Sequence, residues 1–181
     1  MPKEYKLLFI GGMGTGKTTA ISAVSEIPPT LTDVVNNDRA SFDKALTTVA
    51  LDYGQVTLPS GDCLRLYGIP GQARFSFMWT ALKQGCMGVI LLVDASRKNP
   101  FAEFEMFVDA FSEIFSSGYA VVGIGRLAKN KELLIEYIKR LSKRNINVPV
   151  FAVDVREKDD VLLLLDALFT QIEVIEDCQI K

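Results

Sequence analysis

The 181-residue sequence contains no histidine and only three cysteines, Cys63, Cys86 and Cys178. The first absence excludes acid/base chemistry by histidine. The second, an odd count with no C-x-x-C pair, leaves a disulfide framework or a cysteine/histidine zinc site without support and fits a reducing, cytoplasmic setting. An excess of charge of one sign is also missing. Twenty Lys+Arg against 22 Asp+Glu give a formal net charge of −2, so no diffuse attraction to nucleic acid or to an anionic membrane is expected. Any polyanion must be met at a local site. No apolar run approaches the roughly 20 residues that cross a bilayer. The run Leu7–Ile10 is too short for a signal peptide. Cys178 stands at the position of a prenylation motif, but Gln179 and Lys181 fit that motif badly.

What the chain does have is apolar residues, 49% of the total, enough for one sizeable core. Leu7–Ile10, Gly88–Val93, Tyr119–Val122 and Val148–Val153 are short continuous apolar runs, the pattern of strands buried on both faces of a parallel sheet. Helix-length sequence separates them. Glu103–Phe115 sets Phe104, Phe107, Val108, Phe111 and Phe115 on one face, and Leu133–Leu141 does the same with Leu134, Tyr137, Ile138 and Leu141. Thr48–Leu58 and Cys63–Tyr67, joined by Pro59-Ser60-Gly61-Asp62, predict an antiparallel hairpin at one sheet edge. Pro28–Thr47 has no sustained period and reads as a functional or mobile loop. The expectation is one domain over residues 1–181: a three-layer α/β/α sandwich on a mostly parallel sheet of about six strands, one of them antiparallel, with ligand at the carboxyl ends of the strands.

Directly after the first apolar run comes Gly11-Gly12-Met13-Gly14-Thr15-Gly16-Lys17-Thr18, followed by Thr19 and helix-compatible sequence. This matches G-x-x-x-x-G-K-[ST] at every constrained position. Glycines allow successive backbone N–H groups to converge on phosphate oxygens, and the next helix offers its positive end to them. Lys17 then reaches the terminal phosphates, and the Thr18 hydroxyl is placed to ligate Mg2+. The motif identifies a nucleoside triphosphate site without selecting the base.

Beyond the hairpin the chain reads Gly68-Ile69-Pro70-Gly71-Gln72-Ala73-Arg74-Phe75. With the P-loop, Thr47–Gly54, Phe77-Met78-Trp79 and Val89–Ser96, this loop resembles the Ras-like small GTPases, and within them the bacterial MglA-like branch, whose second switch reads P-G-Q. The resemblance implies a GTP-binding switch with low intrinsic turnover. Gly71 would donate its N–H to the γ-phosphate, Gln72 would orient the attacking water, and Thr48, with Thr47 as the alternative, would ligate Mg2+ in the first switch. It also implies a roadblock-type light-chain protein as regulator. Phe75, Phe77, Met78 and Trp79 read equally as core or as an exposed docking patch.

The chain departs from that pattern at three places. Gly68 stands where Ras-type proteins carry the Walker B aspartate, with Asp52 as a replacement acting through water. Thr47 stands where some polarity-type relatives carry a built-in arginine, which leaves Arg39 or Arg74 as cis candidates. Finally, Gly125-Arg126-Leu127-Ala128 occupies the place of the base-reading [NT]-K-x-D motif. Ala128 cannot accept hydrogen bonds from guanine, so Arg126 against the base face and Asp154 in the last loop are the remaining base contacts. Two other functions stay open: a nucleotide-binding pseudo-GTPase, and a P-loop kinase or ATPase.

Overall fold

A computed structural model describes residues 2–28, 30–33, 50–127 and 131–179. In chain order the elements are β1 (Glu4–Ile10), α1 (Lys17–Val24), β2 (Thr30–Asp33), β3 (Ala50–Thr57) and β4 (Cys63–Gly68). A 3-10 turn over Ala73–Phe75 leads into α2 (Ser76–Lys83), then β5 (Gly88–Asp94), α3 (Pro100–Ala110) and α4 (Ser112–Ser116). The chain continues through β6 (Ala120–Gly125), α5 (Lys131–Ser142), β7 (Val150–Ala152) and α6 (Lys158–Gln179). The strands form one sheet in the order β2-β3-β4-β1-β5-β6-β7. β3 is antiparallel to both its neighbours, and the other ladders are parallel. The sheet has seven strands where about six were expected, because Thr30–Asp33, within the stretch expected to be loop, pairs with β3.

Alternation along the central strands builds the layers. Leu7 and Phe9 of β1, with Ile90 and Leu92 of β5, pack against α1 and α6. Leu8 and Ile10, with Val89, Leu91 and Val93, face α2, α3 and α5 on the other side. A strand's period of two thus divides one apolar run between two cores. On the α1/α6 side, α6 contributes Val161, Leu164, Leu165, Leu168 and Ile172. That i, i+3, i+4, i+7, i+11 spacing is a helical signal in the sequence.

The helix expected over Glu103–Phe115 begins earlier and breaks once. Asn99 accepts a hydrogen bond from the Ala102 amide and Pro100 takes the first helical position, so the start is set at Asn99 by a side-chain cap and a preset φ. Phe111 interrupts the helix, yet Phe104, Phe107, Val108, Phe111 and Phe115 all remain buried. The hairpin is present, with Thr57 opposite Cys63 and Asp52 opposite Gly68. That last pair brings a carboxylate to the strand ends. Among the described residues no helix is long and apolar enough to cross a membrane.

Candidate functional site

Residues 11–16 leave the end of β1 and turn into α1. Gly16 is the residue before the helix, at φ 96° and with no side-chain cap. The left-handed conformation favours glycine, and without a cap the first-turn amides are left for a ligand. The loop folds around the Lys17 side chain, which is only 8% exposed. Its ammonium donates to the carbonyls of Gly11 at 2.8 Å and Gly12 at 2.7 Å, and the Thr15 hydroxyl also donates to Gly12 at 3.0 Å. Burial lowers the Lys17 pKa to about 8, against the opposing pull of Asp52 and Glu103. A desolvated ammonium whose hydrogen bonds, among the described residues, go to carbonyl dipoles attracts an anion.

Next to it the Thr18 hydroxyl donates to Asp52 Oδ2 at 2.7 Å. That bond uses the hydroxyl proton and leaves oxygen lone pairs for another partner. A Cβ on Gly68 would lie 2.9 Å from the same carboxylate oxygen. Asp52, on the adjacent strand, therefore fills the space that a side chain at 68 would need. Gly71 rests directly on the P-loop, where an added Cβ would come within 2.1 Å of the Gly11 carbonyl oxygen. From here Gln72 reaches back, its amide donating to Met13 Sδ at 3.4 Å. Trp79 of α2 is 4% exposed and donates to the Pro70 carbonyl at 3.2 Å. It thereby ties the Pro-Gly-Gln loop to the core.

These groups line one cavity of about 370 Å3: Met13, Gly14, Gly16, Lys17, Thr18 and Thr19 on one side, Asp52 and Gly68–Gln72 on another, and Arg126 at the far end. Gly11, Gly12 and Thr15 lie behind the lining and support it. Arg126, at φ 52°, directs its guanidinium to Asp94 at the end of β5. In the sequence Asp94 is marked only as a carboxylate that closes an apolar strand run. Asp154 does not line the cavity. Its carboxylate accepts from Arg156 Nε at 2.9 and 3.1 Å and is held down to about 2 by that guanidinium. Its own amide donates to Asp160. Thr47, Thr48, Arg39 and Ala128 lie outside the described residues. Arg74 lies over the Phe75 ring, 4.7 Å from its centroid, and does not line the cavity. The aromatic cluster divides: Met78 and Trp79 are buried, whereas Phe77 is 60% exposed.

No protein-family model matches the chain. In sequence it is similar to the Ras-related protein Rab-13 of Mesocricetus auratus, 26% identical over 147 residues, which are 78% of this chain and 66% of that protein. It is 30% identical to Rab-13 of Canis lupus familiaris over 117 residues, 63% of this chain and 52% of that protein. With Rab-8A of Bos taurus the identity is 25% over 178 residues, 86% and 80% of the two lengths. The chain thus spans less than two thirds of the Rab-13 proteins it matches. Among solved structures it superposes on the G domain of the T. maritima FeoB iron transporter with a TM-score of 0.61 at 17% identity, covering 96% of this chain and 99% of that one. On the FeoB cytosolic domain in its GMPPNP form the TM-score is 0.64 at 15% identity, covering 93% and 64%. The fold is Ras-like. The α/β P-loop expectation holds, and the chain is a distant relative of the Ras-related small GTPases.

Proposed function

We propose that this chain is a GTP-binding switch, an MglA-like small GTPase of one G domain that works in the cytoplasm and hydrolyses the γ-phosphate slowly until a partner accelerates it. The observation that carries this reading is the convergence of the Lys17 ammonium, the Thr18–Asp52 pair and the Pro70-Gly71-Gln72 loop on one cavity. The P-loop amides and Lys17 bind the phosphates by charge-assisted hydrogen bonds. Thr18 is a hard oxygen donor that Asp52 orients, and Mg2+ suits a site with one hydroxyl, phosphate oxygens and a carboxylate that acts through water. The ion would neutralise charge on the phosphates. Gly71, close enough to the P-loop to allow no side chain, offers its N–H to the γ-phosphate, and Gln72 orients the water that attacks it. Thr48 would complete the ion's shell from the first switch. By the resemblance to the MglA-like branch, the accelerating partner would be a roadblock-type light-chain protein.

Asp52 carries a direct prediction. Asp52→Ala leaves the Thr18 hydroxyl without its acceptor, and losing such an outer partner typically costs about 10–100-fold in metal affinity. The Mg2+ concentration that half-saturates GTP binding should rise by that factor, as read by titration with a fluorescent GTP analogue. Unchanged Mg2+ dependence would return Asp52 to a purely structural role.

The base is tested by competition. Without a carboxylate at 128, and with Asp154 engaged by Arg156, guanine preference should be modest, short of the usual margin by roughly one to two orders of magnitude. GDP is expected to outcompete ADP in wild type, and Ala128→Asp should widen the ratio several-fold at fixed Mg2+. Equal binding of ADP together with no turnover of either triphosphate would favour the pseudo-GTPase reading. Efficient ATP turnover would favour the ATPase or kinase.

A further inference from the structure

Two charged side chains that do not line the cavity, Arg97 of the β5–α3 connection and Glu103 of α3, contact the P-loop. Arg97 donates one guanidinium nitrogen to the Met13 carbonyl and another to Glu103 Oε1 at 2.7 Å, and its Nε lies 3.7 Å from Asp94 Oδ2. Glu103, in the first turn of α3, lies against Gly12 so closely that a Cβ there would fall 2.0 Å from Oε1. Neither residue lines the cavity.

The loop's hydrogen bonds divide in a telling way. Carbonyls 11 and 12 are held by Lys17 and Thr15. The Met13 carbonyl is held by Arg97. In a trans peptide the C=O and the following N–H point in opposite directions, and the described chain has no cis bond. A Met13 carbonyl turned to Arg97, which does not line the cavity, therefore leaves the Gly14 N–H pointing away from Arg97, in a loop whose Met13 and Gly14 line the cavity. Gly14 sits at φ 77°, and a glycine flank leaves that peptide plane free to rotate unless something holds it. The planar guanidinium can bond the carbonyl and Glu103 at once, which a lysine ammonium does less well.

We propose that Arg97, oriented by Glu103, is a positioning residue that fixes the Met13–Gly14 peptide so that the Gly14 N–H meets a phosphate of the bound nucleotide. This rests on the nucleotide-site reading above. It assigns work on the ligand to an ion pair that never touches it.

The test combines affinity with a spectroscopic signature in the full chain. On adding Mg-GDP to 15N-labelled wild type, the Gly14 and Gly16 amide resonances should both move downfield. In Arg97→Ala the Gly14 shift should be lost while the Gly16 shift remains. The GDP dissociation constant should rise roughly ten- to hundredfold, the usual effect of losing a charged hydrogen bond, with the melting temperature of the nucleotide-free protein little changed. Arg97→Lys should recover part of the affinity, and Glu103→Gln should show a smaller loss than Arg97→Ala. The proposal is overturned by wild-type GDP affinity in Arg97→Ala, or by a full Gly14 shift in that variant. It is equally overturned if all P-loop amides lose their shifts together with a lower melting temperature in Arg97→Ala and in Arg97→Lys alike, since Arg97 would then be a general brace. If wild type itself shows no amide shift with any nucleoside diphosphate, the nucleotide reading fails first.

Discussion

Replacing Lys17 with Ala is expected to remove tight binding of GDP and GTP while leaving the fold in place. The ammonium is buried, and among the described residues its hydrogen bonds go to the carbonyls of Gly11 and Gly12 while Asp52 and Glu103 act on it through space, so its third N–H is left for a phosphate oxygen. Removing one member of a buried charged pair typically costs about 2–5 kcal/mol, or roughly 30- to 5,000-fold in affinity. Folding should be spared, because the substitution also removes the desolvation cost that lowers the Lys17 pKa. Calorimetry with GDP, GTP and their adenine counterparts measures the loss, and circular dichroism checks the fold. Undiminished affinity in the mutant would end the P-loop assignment.

The second large effect is expected at Gln72. If it orients the attacking water, Gln72→Leu should slow partner-stimulated hydrolysis by something on the order of 10³–10⁵-fold, the range over which partners accelerate related enzymes. Nucleotide affinity should hardly move, since the Gln72 amide bonds the Met13 thioether, a weak acceptor, and leaves the bonds of Lys17 and Thr18 untouched. Single-turnover rates with and without the partner separate the two parameters. Wild-type rates in the mutant would make Gln72 a solvated loop residue.

Trp79, Phe77 and Asp52 show where reading the sequence stops. Phe75, Phe77, Met78 and Trp79 lie within five positions of one another, and composition cannot say which face is inside. The structure buries Trp79 against Phe107 and Phe111, with ring centroids 5.1 and 5.9 Å apart, and leaves Phe77 outside. The choice is made by the rotation of α2 about its axis, which partners from α3 determine. Asp52 was legible as a nearby carboxylate, but its bond to Thr18 depends on the β3–β4 register that sets it opposite Gly68. A slip of one residue would turn it to the other face of the sheet.

The sequence alone determined those features whose physics is local: the P-loop, because its glycines and Lys17 act within one turn of chain, and the α/β layering, because strand and helix periods are written in neighbouring residues. It also shows that positions 68 and 128 carry no carboxylate, which is plain from residue identity. Tertiary structure alone decided that Arg97 and Glu103 contact the P-loop, 84 residues on from Met13 in the case of Arg97, and that Asp154 is occupied by Arg156 rather than lining the cavity. Their positions follow from how β5 lies beside β1 and how α3 and α6 pack on opposite faces. Contacts of that kind depend on the whole sheet, and a short window of sequence carries no period or spacing from which they can be read.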